Sequence, residues 1–590
     1  MSRRPHQINP RGTCLMFRAL PFRPQAALPK AVLPKAVLLV SAAVLAFAAA
    51  PAFAQDAVRT APAGRRQVDG EKILQLLVAK GVISQADADG IEAQATVTPP
   101  AAAPVVAGGV NGDVQTIPYI PETVRKQIKN ELREEVKAEA KSEGWASPGL
   151  VPDWLGKVTL EGDIRVRDEQ DLFDKNNDNA IVNFNGINTG SPFDINYQKS
   201  GGANPPYLNT TEDRNRPRVR ARFGLIAQPD DWVSFEVRLA TGNDSSPVSP
   251  NQTLGAVGDF SKYAAWFDRF DMMLTPHGAF EGLRLDFGRG ENPFWSTPLQ
   301  FYPDLNFDGF YARYRRQIVS GVEGFGTIGV FPMFNTALNF SSNDVGAFKS
   351  HDSWMYGAQF GAAYQPTKAV KLTAAAGYYD FDGVAGKTSS PCNWFQTVCD
   401  TDTTRTPFAQ WGNSMFPIRN ITPDPTNPAN SANPQYFGLA SDFRVLDVHA
   451  AVDFTGYASL PVRLEGDFLQ NLAFDKSRVL AREVNVAPAD YTPGGMGYLV
   501  NLTLGKPVIA RRGDWNFSAG YRYLESDATV DAIADADFHL GGTNAKGYTL
   551  SGYYGFAKNT SIGLRWFSAD VITGPRYSND VLQLDLNTKF

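Results

Sequence analysis

The 590-residue sequence lacks a membrane-spanning apolar helix: its longest apolar stretch, 36–50, is Ala-rich and 15 residues long, where a spanning helix needs about 20. Cysteine and histidine are scarce, at three and five. Beyond residue 54 only Cys392, Cys399, His277, His351, His449 and His539 remain, too few and too scattered for nucleophilic catalysis or a metal cluster. No nucleophile elbow, phosphate-binding glycine loop or EF-hand spacing accompanies them, so neither an enzyme nor a cofactor is expected. Basic residues are not in excess either. The 56 Lys and Arg stand against 61 Asp and Glu, net −5, a poor balance for a nucleic-acid partner.

What is present begins with an address. Lys30 and Lys35 precede the apolar run and Ala52-Phe53-Ala54 offers a small-residue cleavage site, so 1–54 reads as a secretory signal peptide, with Met16 as a second candidate start. Its removal takes away seven basic and no acidic groups, moving the net charge from −5 to −12 (49 minus 61). Export suits the remaining cysteines. Cys392 and Cys399 are favoured as a loop-closing disulfide over a metal site, because only Asp400 and Asp402 stand near them. Residues 55–97 read as a helical hairpin, with Gly81 after the first helix and Ser84 with Asp87 resembling a capping box for the second. A Pro-, Ala- and Val-rich linker, 98–117, leads to a charged helix and connector over 118–156. Its apolar residues recur every four positions from Ile120 to Ala140, a spacing that drifts about 40° per step on a 3.6-residue helix. It is either a short trimeric coiled-coil stalk or a solvated spacer.

From 157 to 590 the dominant feature is a rhythm. Alternating apolar and polar segments are separated by long gaps at 170–213, 242–263, 291–306, 334–352, 383–441, 473–495, 526–546 and 572–578. Between those fall short turns at 229–230, 277–281, 317–321, 367–368, 456–458, 508–512 and 557–559. The alternation predicts 16 antiparallel strands of an up-and-down transmembrane barrel, in which an even count returns the chain to its starting side. Within segments the period is two: Trp354, Tyr356, Ala358, Phe360, Ala362 and Tyr364 share one face, Met355, Gly357, Gln359, Gly361, Ala363 and Gln365 the other. The last segment places Leu582, Leu584, Leu586, Thr588 and Phe590 outward, ending on an aromatic that fits the signal read by outer-membrane assembly machinery. A soluble sandwich also alternates, but nothing in a sandwich imposes parity on loop length.

A closed sheet of about 16 strands is too wide for its side chains to fill, so it encloses water unless a loop intrudes. On the inward face the pattern places Arg165, Arg167, Arg218, Arg220, Arg222, Arg238, Arg284, Arg313 and Arg315, all in the first half, and Asp447, Asp453, Glu465 and Asp467 in the second. Two expectations follow. The arginines form a pore-lining track that favours anions, or they are neutralised by neighbouring carboxylates such as Asp163 and Glu169.

Four runs taken in order are similar to the "putative porin" family of Gram-negative outer membranes: ILQLLVAKGVISQADADGIEAQA (73–95), IPYIPETVRKQIKNELREEV (117–136), EGWASPGLVPDWLGKVTLEGDIRVR (143–167) and GRGENPFWSTPLQFYPDLNFDGF (288–310). The resemblance implies an outer-membrane diffusion channel for small hydrophilic solutes or ions, a homotrimer, no catalysis, and a periplasmic N-terminal region. The alternative is an envelope tether, in which 71–143 grips the cell wall or a periplasmic partner and the barrel is an anchor.

Overall fold

The computed structural model describes residues 157–590 apart from 244, 344, 346, 456–459 and 483–490. The signal peptide, the helical hairpin, the linker and the charged helix lie outside the described residues.

Sixteen long strands close into one antiparallel barrel. The first eight are β1 (Val158–Phe173), β2 (Arg214–Asp230), β3 (Val233–Ala240), β4 (Trp266–Leu274), β5 (Leu283–Glu291), β6 (Asn306–Val319), β7 (Val322–Phe334) and β8 (Ser353–Thr367). The second eight are β9 (Val370–Asp382), β10 (Phe443–Phe454), β11 (Val462–Asn471), β12 (Met496–Gly505), β13 (Trp515–Leu524), β14 (Ala545–Ala557), β15 (Thr560–Val571) and β16 (Ser578–Lys589). Each pairs with its sequence neighbours, and β1 pairs with β16 from Asp163↔Lys589 to Phe173↔Asn579. The expected connections fall in order between the strands, although residues 170–173 extend β1 and 229–230 end β2, and the expected turn at 456–458 lies outside the described residues. A further two-residue strand, Gln252–Thr253, adds to β2 from the β3–β4 loop.

The period-two pattern becomes two unlike faces. Outward positions leave Leu160, Ile164, Val166, Phe223, Leu225 and Val237 exposed, as lipid requires of a barrel wall. Tyr498, Tyr521, Tyr523 and Tyr548 contact one another on the outside, with ring centroids 5.0–6.2 Å apart, and form part of an aromatic girdle.

The seam is closed by the chain's last residue. The Phe590 backbone exchanges hydrogen bonds with Gly162, N to O, at 3.0 and 3.1 Å, and its ring lies over Gly162. A side chain at 162 would put Cβ 2.4 Å from the Phe590 ring and 2.7 Å from the Arg222 carbonyl oxygen.

The long loops fold into the barrel. An apolar core sits inside the wall, where Phe294, Phe301 and Leu305 of the β5–β6 loop meet Phe307, Phe331, Met355 and Tyr379 of the strands. Ring centroids in this cluster lie 5.0–6.1 Å apart. The β9–β10 loop (383–442) adds Met415, Phe416, Ile418, Phe437 and Leu439, and the β13–β14 loop (525–544) adds Val530 and Ile533. Cys392 and Cys399, in the first of these, have their sulfur atoms 1.96 Å apart. In the same loop the buried Arg419 pairs with Asp402, and both Arg405 and Arg419 lie against the Tyr436 ring, at 4.4 and 4.8 Å.

Candidate functional site

The interior is organised by residues 292–305, which cross it. Pro293, Pro298 and Pro303 cannot donate to a ladder, and the Asn292 side chain turns the chain by accepting from Phe294 N at 3.0 Å and donating to Ser296 at 2.9 Å. The segment is then pinned to one wall. Gln359 of β8 accepts from Trp295 N and donates to Trp295 O, both at 2.8 Å. The Trp295 ring stacks on His449 of β10 at 3.7 Å, the Thr297 hydroxyl donates to Asp467 of β11, and Thr327 of β7 donates to Pro293 O at 3.1 Å. Gly357 makes room for it: a Cβ there would lie 2.5 Å from Phe294 Cζ.

The far end of the same segment reaches β2. Asp304 accepts from Arg220 at 2.8 Å and from Arg222 at 2.9 Å, and stands 4.0 Å from Arg165. In a closed ring of 16, β2 and β11 lie nearly opposite, so residues 297–304 bridge the lumen. The β13–β14 loop joins this septum where Tyr302 N donates to Ile533 O at 3.0 Å. It is held down by Asp537, which accepts from Arg167 at 3.2 Å and Arg565 at 2.9 Å, and by Asp535, which accepts from Arg522 at 2.6 Å. The β3–β4 loop enters beside it, with Asn251 accepting from Arg165 at 2.5 Å.

All nine arginines read from the sequence sit on the inward face, and each has a carboxylate within 4.0 Å. Arg167, fully buried, bonds Asp585 at 2.6 Å as well as Asp537. Arg218 takes Glu169 at 3.0 Å; Arg220 and Arg222 share Asp163 at 2.7 and 2.6 Å. Lower on the wall, Arg238 pairs with Asp268, Arg284 and Arg313 converge on Asp286, and Arg315 meets Glu323 at 2.6 Å. On the opposite wall Asp447 and Asp467 are buried, while Asp453 and Glu465 share Arg463 at 3.4 and 2.9 Å. The expected contrast between a cationic and an acidic wall is therefore replaced by interleaved charges.

Sequence reasoning did not single out Asp304, Asp537, Trp295 or Gln359. The first three lie in long loops where no period exists to orient a side chain; residues 293–304 entered the sequence reading only within the run 288–310 that carries the family resemblance.

A closed 16-strand barrel with an apolar outer belt, a polar wall and loops packed inside is the architecture of an outer-membrane channel. The chain belongs to the family described as "Putative porin", whose model matches residues 66–590. Among solved structures it is similar to the outer membrane channel DcaP of Acinetobacter baumannii, at 11% identity over 73% of this chain and 97% of that one, TM-score 0.34. It is likewise similar to OprB of Pseudomonas putida, at 12% identity over 75% and 96%, TM-score 0.38. OmpF of Salmonella typhi in complex with daunomycin matches at 10% identity over 73% and 97%, TM-score 0.33. No curated protein matches the chain.

Proposed function

We propose that the chain forms a passive diffusion pore for small hydrophilic solutes or ions in the outer membrane, narrowed by the septum of residues 292–305. The observation that carries this reading is the polar inward face of the closed barrel together with a loop fastened to opposite walls. Long loops face the outside and short turns the periplasm, following the usual orientation of such barrels. Assembly as a homotrimer, and recognition of Phe590 by the assembly machinery, belong to the same reading.

The selectivity of the pore follows from the pairing. Around β1 and β2, six arginines (165, 167, 216, 218, 220 and 222) stand among six carboxylates (163, 169, 171, 304, 537 and 585). This balance supports neutralisation over an anion-favouring track. The tether alternative rests on residues outside the described range, and no observation favours it.

Planar bilayers test both points. Full-length protein should open persistent unit currents with a zero-current potential near zero in a KCl gradient. Leak-level current from folded protein would refute the pore, and a strong anion preference would restore the free arginine track.

A further inference from the structure

We propose that the short turns at 506–514 and 558–559 form a binding site for an anionic phospholipid of the inner leaflet of the outer membrane. They join β12 to β13 and β14 to β15, and the pairing of β13 with β14 carries them to one place on the rim. Asn559 N donates to Ala510 O at 2.9 Å, Gly513 N to Gly555 O at 2.7 Å and Gly555 N to Asp514 O at 2.8 Å, so the two turns are one hydrogen-bonded unit. Together they expose Lys506, Arg511, Arg512 and Lys558.

These four stand apart from the other cations at this end of the barrel. Lys157 meets Asp231 at 2.9 Å and Arg315 meets Glu323 at 2.6 Å, whereas none of the four has a carboxylate within 4.0 Å among the described residues. Asp514 is the one acidic residue in the two turns. Its carboxylate accepts from Arg511 N at 2.8 Å and Ala510 N at 3.2 Å. Those backbone bonds, together with the nearby Lys506 and Arg511 charges, hold the Asp514 carboxyl below the usual carboxylate range. Four cations against one anion leave a surplus of three (4 minus 1).

Such a surplus attracts anions of many kinds, and the neighbouring surface selects an amphiphile among them. Lys506 N donates to Trp515 O at 2.8 Å, and Trp515 lies opposite Tyr554 in the ladder. Trp515, Tyr554 and Phe556 are 44, 47 and 38% exposed on the lipid-facing side, and Val508 in the first turn is 68% exposed. An aromatic belt ends where lipid headgroups begin, which puts the four cations at the height of the phosphates. A free phosphate or an acidic peptide uses only the cations. A phospholipid uses both surfaces, with its phosphate on the arginines, which pair with it bidentately, and its first methylenes along Trp515 and Tyr554.

The choice of leaflet rests on the periplasmic orientation of the short turns adopted above; lipid binding itself is read in detergent without current, so the two readings fail separately. Native mass spectrometry of full-length protein, titrated with phosphatidylglycerol or with phosphatidylethanolamine of the same acyl chains, should show phosphatidylglycerol retained at least about tenfold better. Arg511→Gln, Arg512→Gln and Lys558→Gln together should abolish that preference. Arg315→Gln, Arg316→Gln and Lys368→Gln together, the same change of charge at other turns, should keep it. Equal retention of the two lipids by the wild type overturns the proposal, as does loss of the preference in both triple variants, the result expected of net charge alone. Displacement of phosphatidylglycerol by glycerol phosphate or by a polyglutamate peptide at equal concentration overturns it too, because the cations then serve a soluble anion. If the first triple variant does not fold, this competition on the wild type decides.

Discussion

Asp304 is the residue on which the electrostatics of the pore turn. It supplies the second carboxylate to Arg220 and Arg222 and the nearest one to Arg165, and it arrives from a loop, so the wall does not compensate itself. Asp304→Asn should leave Arg220 and Arg222 sharing Asp163 and Arg165 without a carboxylate within 4.0 Å, and shift the zero-current potential toward anions. One unit charge seen through water at about 7 Å is worth about 0.6 kcal/mol, close to RT, or about threefold in anion occupancy. An unchanged potential would mean that the septum lies off the conduction path. Arg167 plays a different part, because it is fully buried among Asp537, Asp585 and Glu169. Arg167→Met strands those carboxylates and should cost on the order of 3–5 kcal/mol, whereas Arg315→Gln, in a pair whose arginine is 63% exposed, should cost at most about 1 kcal/mol. Urea midpoints of folding into lipid vesicles would rank the two.

The elements differ in how far the sequence discloses them. The order of strands and turns was legible, with described boundaries within about four residues, since lipid outside and polar contents inside impose period two on every segment and the membrane imposes parity on every connection. The inward direction of the arginines was legible for the same reason: a slip of one residue in β2 would turn Arg218, Arg220 and Arg222 into hydrocarbon. Their partners were not. Asp304 and Asp537 are carried by loops whose fold depends on packing against walls distant in sequence, and Gly357 discloses its purpose only once Phe294 is seen against it. The β13–β14 loop also carries a measurable pH dependence. Burial raises the Asp531 carboxyl from the usual 3.8 to about 7, so its contribution to stability is present below pH about 4 and is lost as pH rises through 7. His539 in the same loop is lowered by burial to about 4 and acts oppositely, losing its contribution as pH falls from 6.5. Comparing wild type with Asp531→Asn isolates the first effect. The variant should be more stable by up to about 4 kcal/mol at pH 8 and equal at pH 4, read by the rate at which protease cuts 525–544. Equal cleavage of the two proteins at pH 8 would sink the assignment.

At the scale of the whole molecule, closure depends on one seam. Fourteen of the strands pair with both sequence neighbours, but β1 and β16 meet across the full length of the chain. Their ladder ends where Phe590 and Gly162 exchange two backbone hydrogen bonds, and the Phe590 ring occupies the space that a side chain at 162 would need. An open edge in lipid leaves backbone groups unsatisfied at several kcal/mol each, so the last pairing made is also the one that completes the barrel. Two changes approach this point from opposite sides. Deleting Phe590 removes both hydrogen bonds and the aromatic ring, while Gly162→Leu keeps the terminal aromatic and expels the ring from its seat. If the seam itself limits assembly, both variants should lower the fraction of compact, heat-modifiable barrel in vesicles without any assembly machinery present. If Phe590 acts only as a recognition signal, its deletion should fold like the wild type in vesicles and lower outer-membrane levels in cells alone, whereas Gly162→Leu, which also crowds the Arg222 carbonyl, should lose folding in vesicles in either case. Folding yield in vesicles beside outer-membrane abundance in cells, for the same two variants, separates the physical role of the residue from its role as an address.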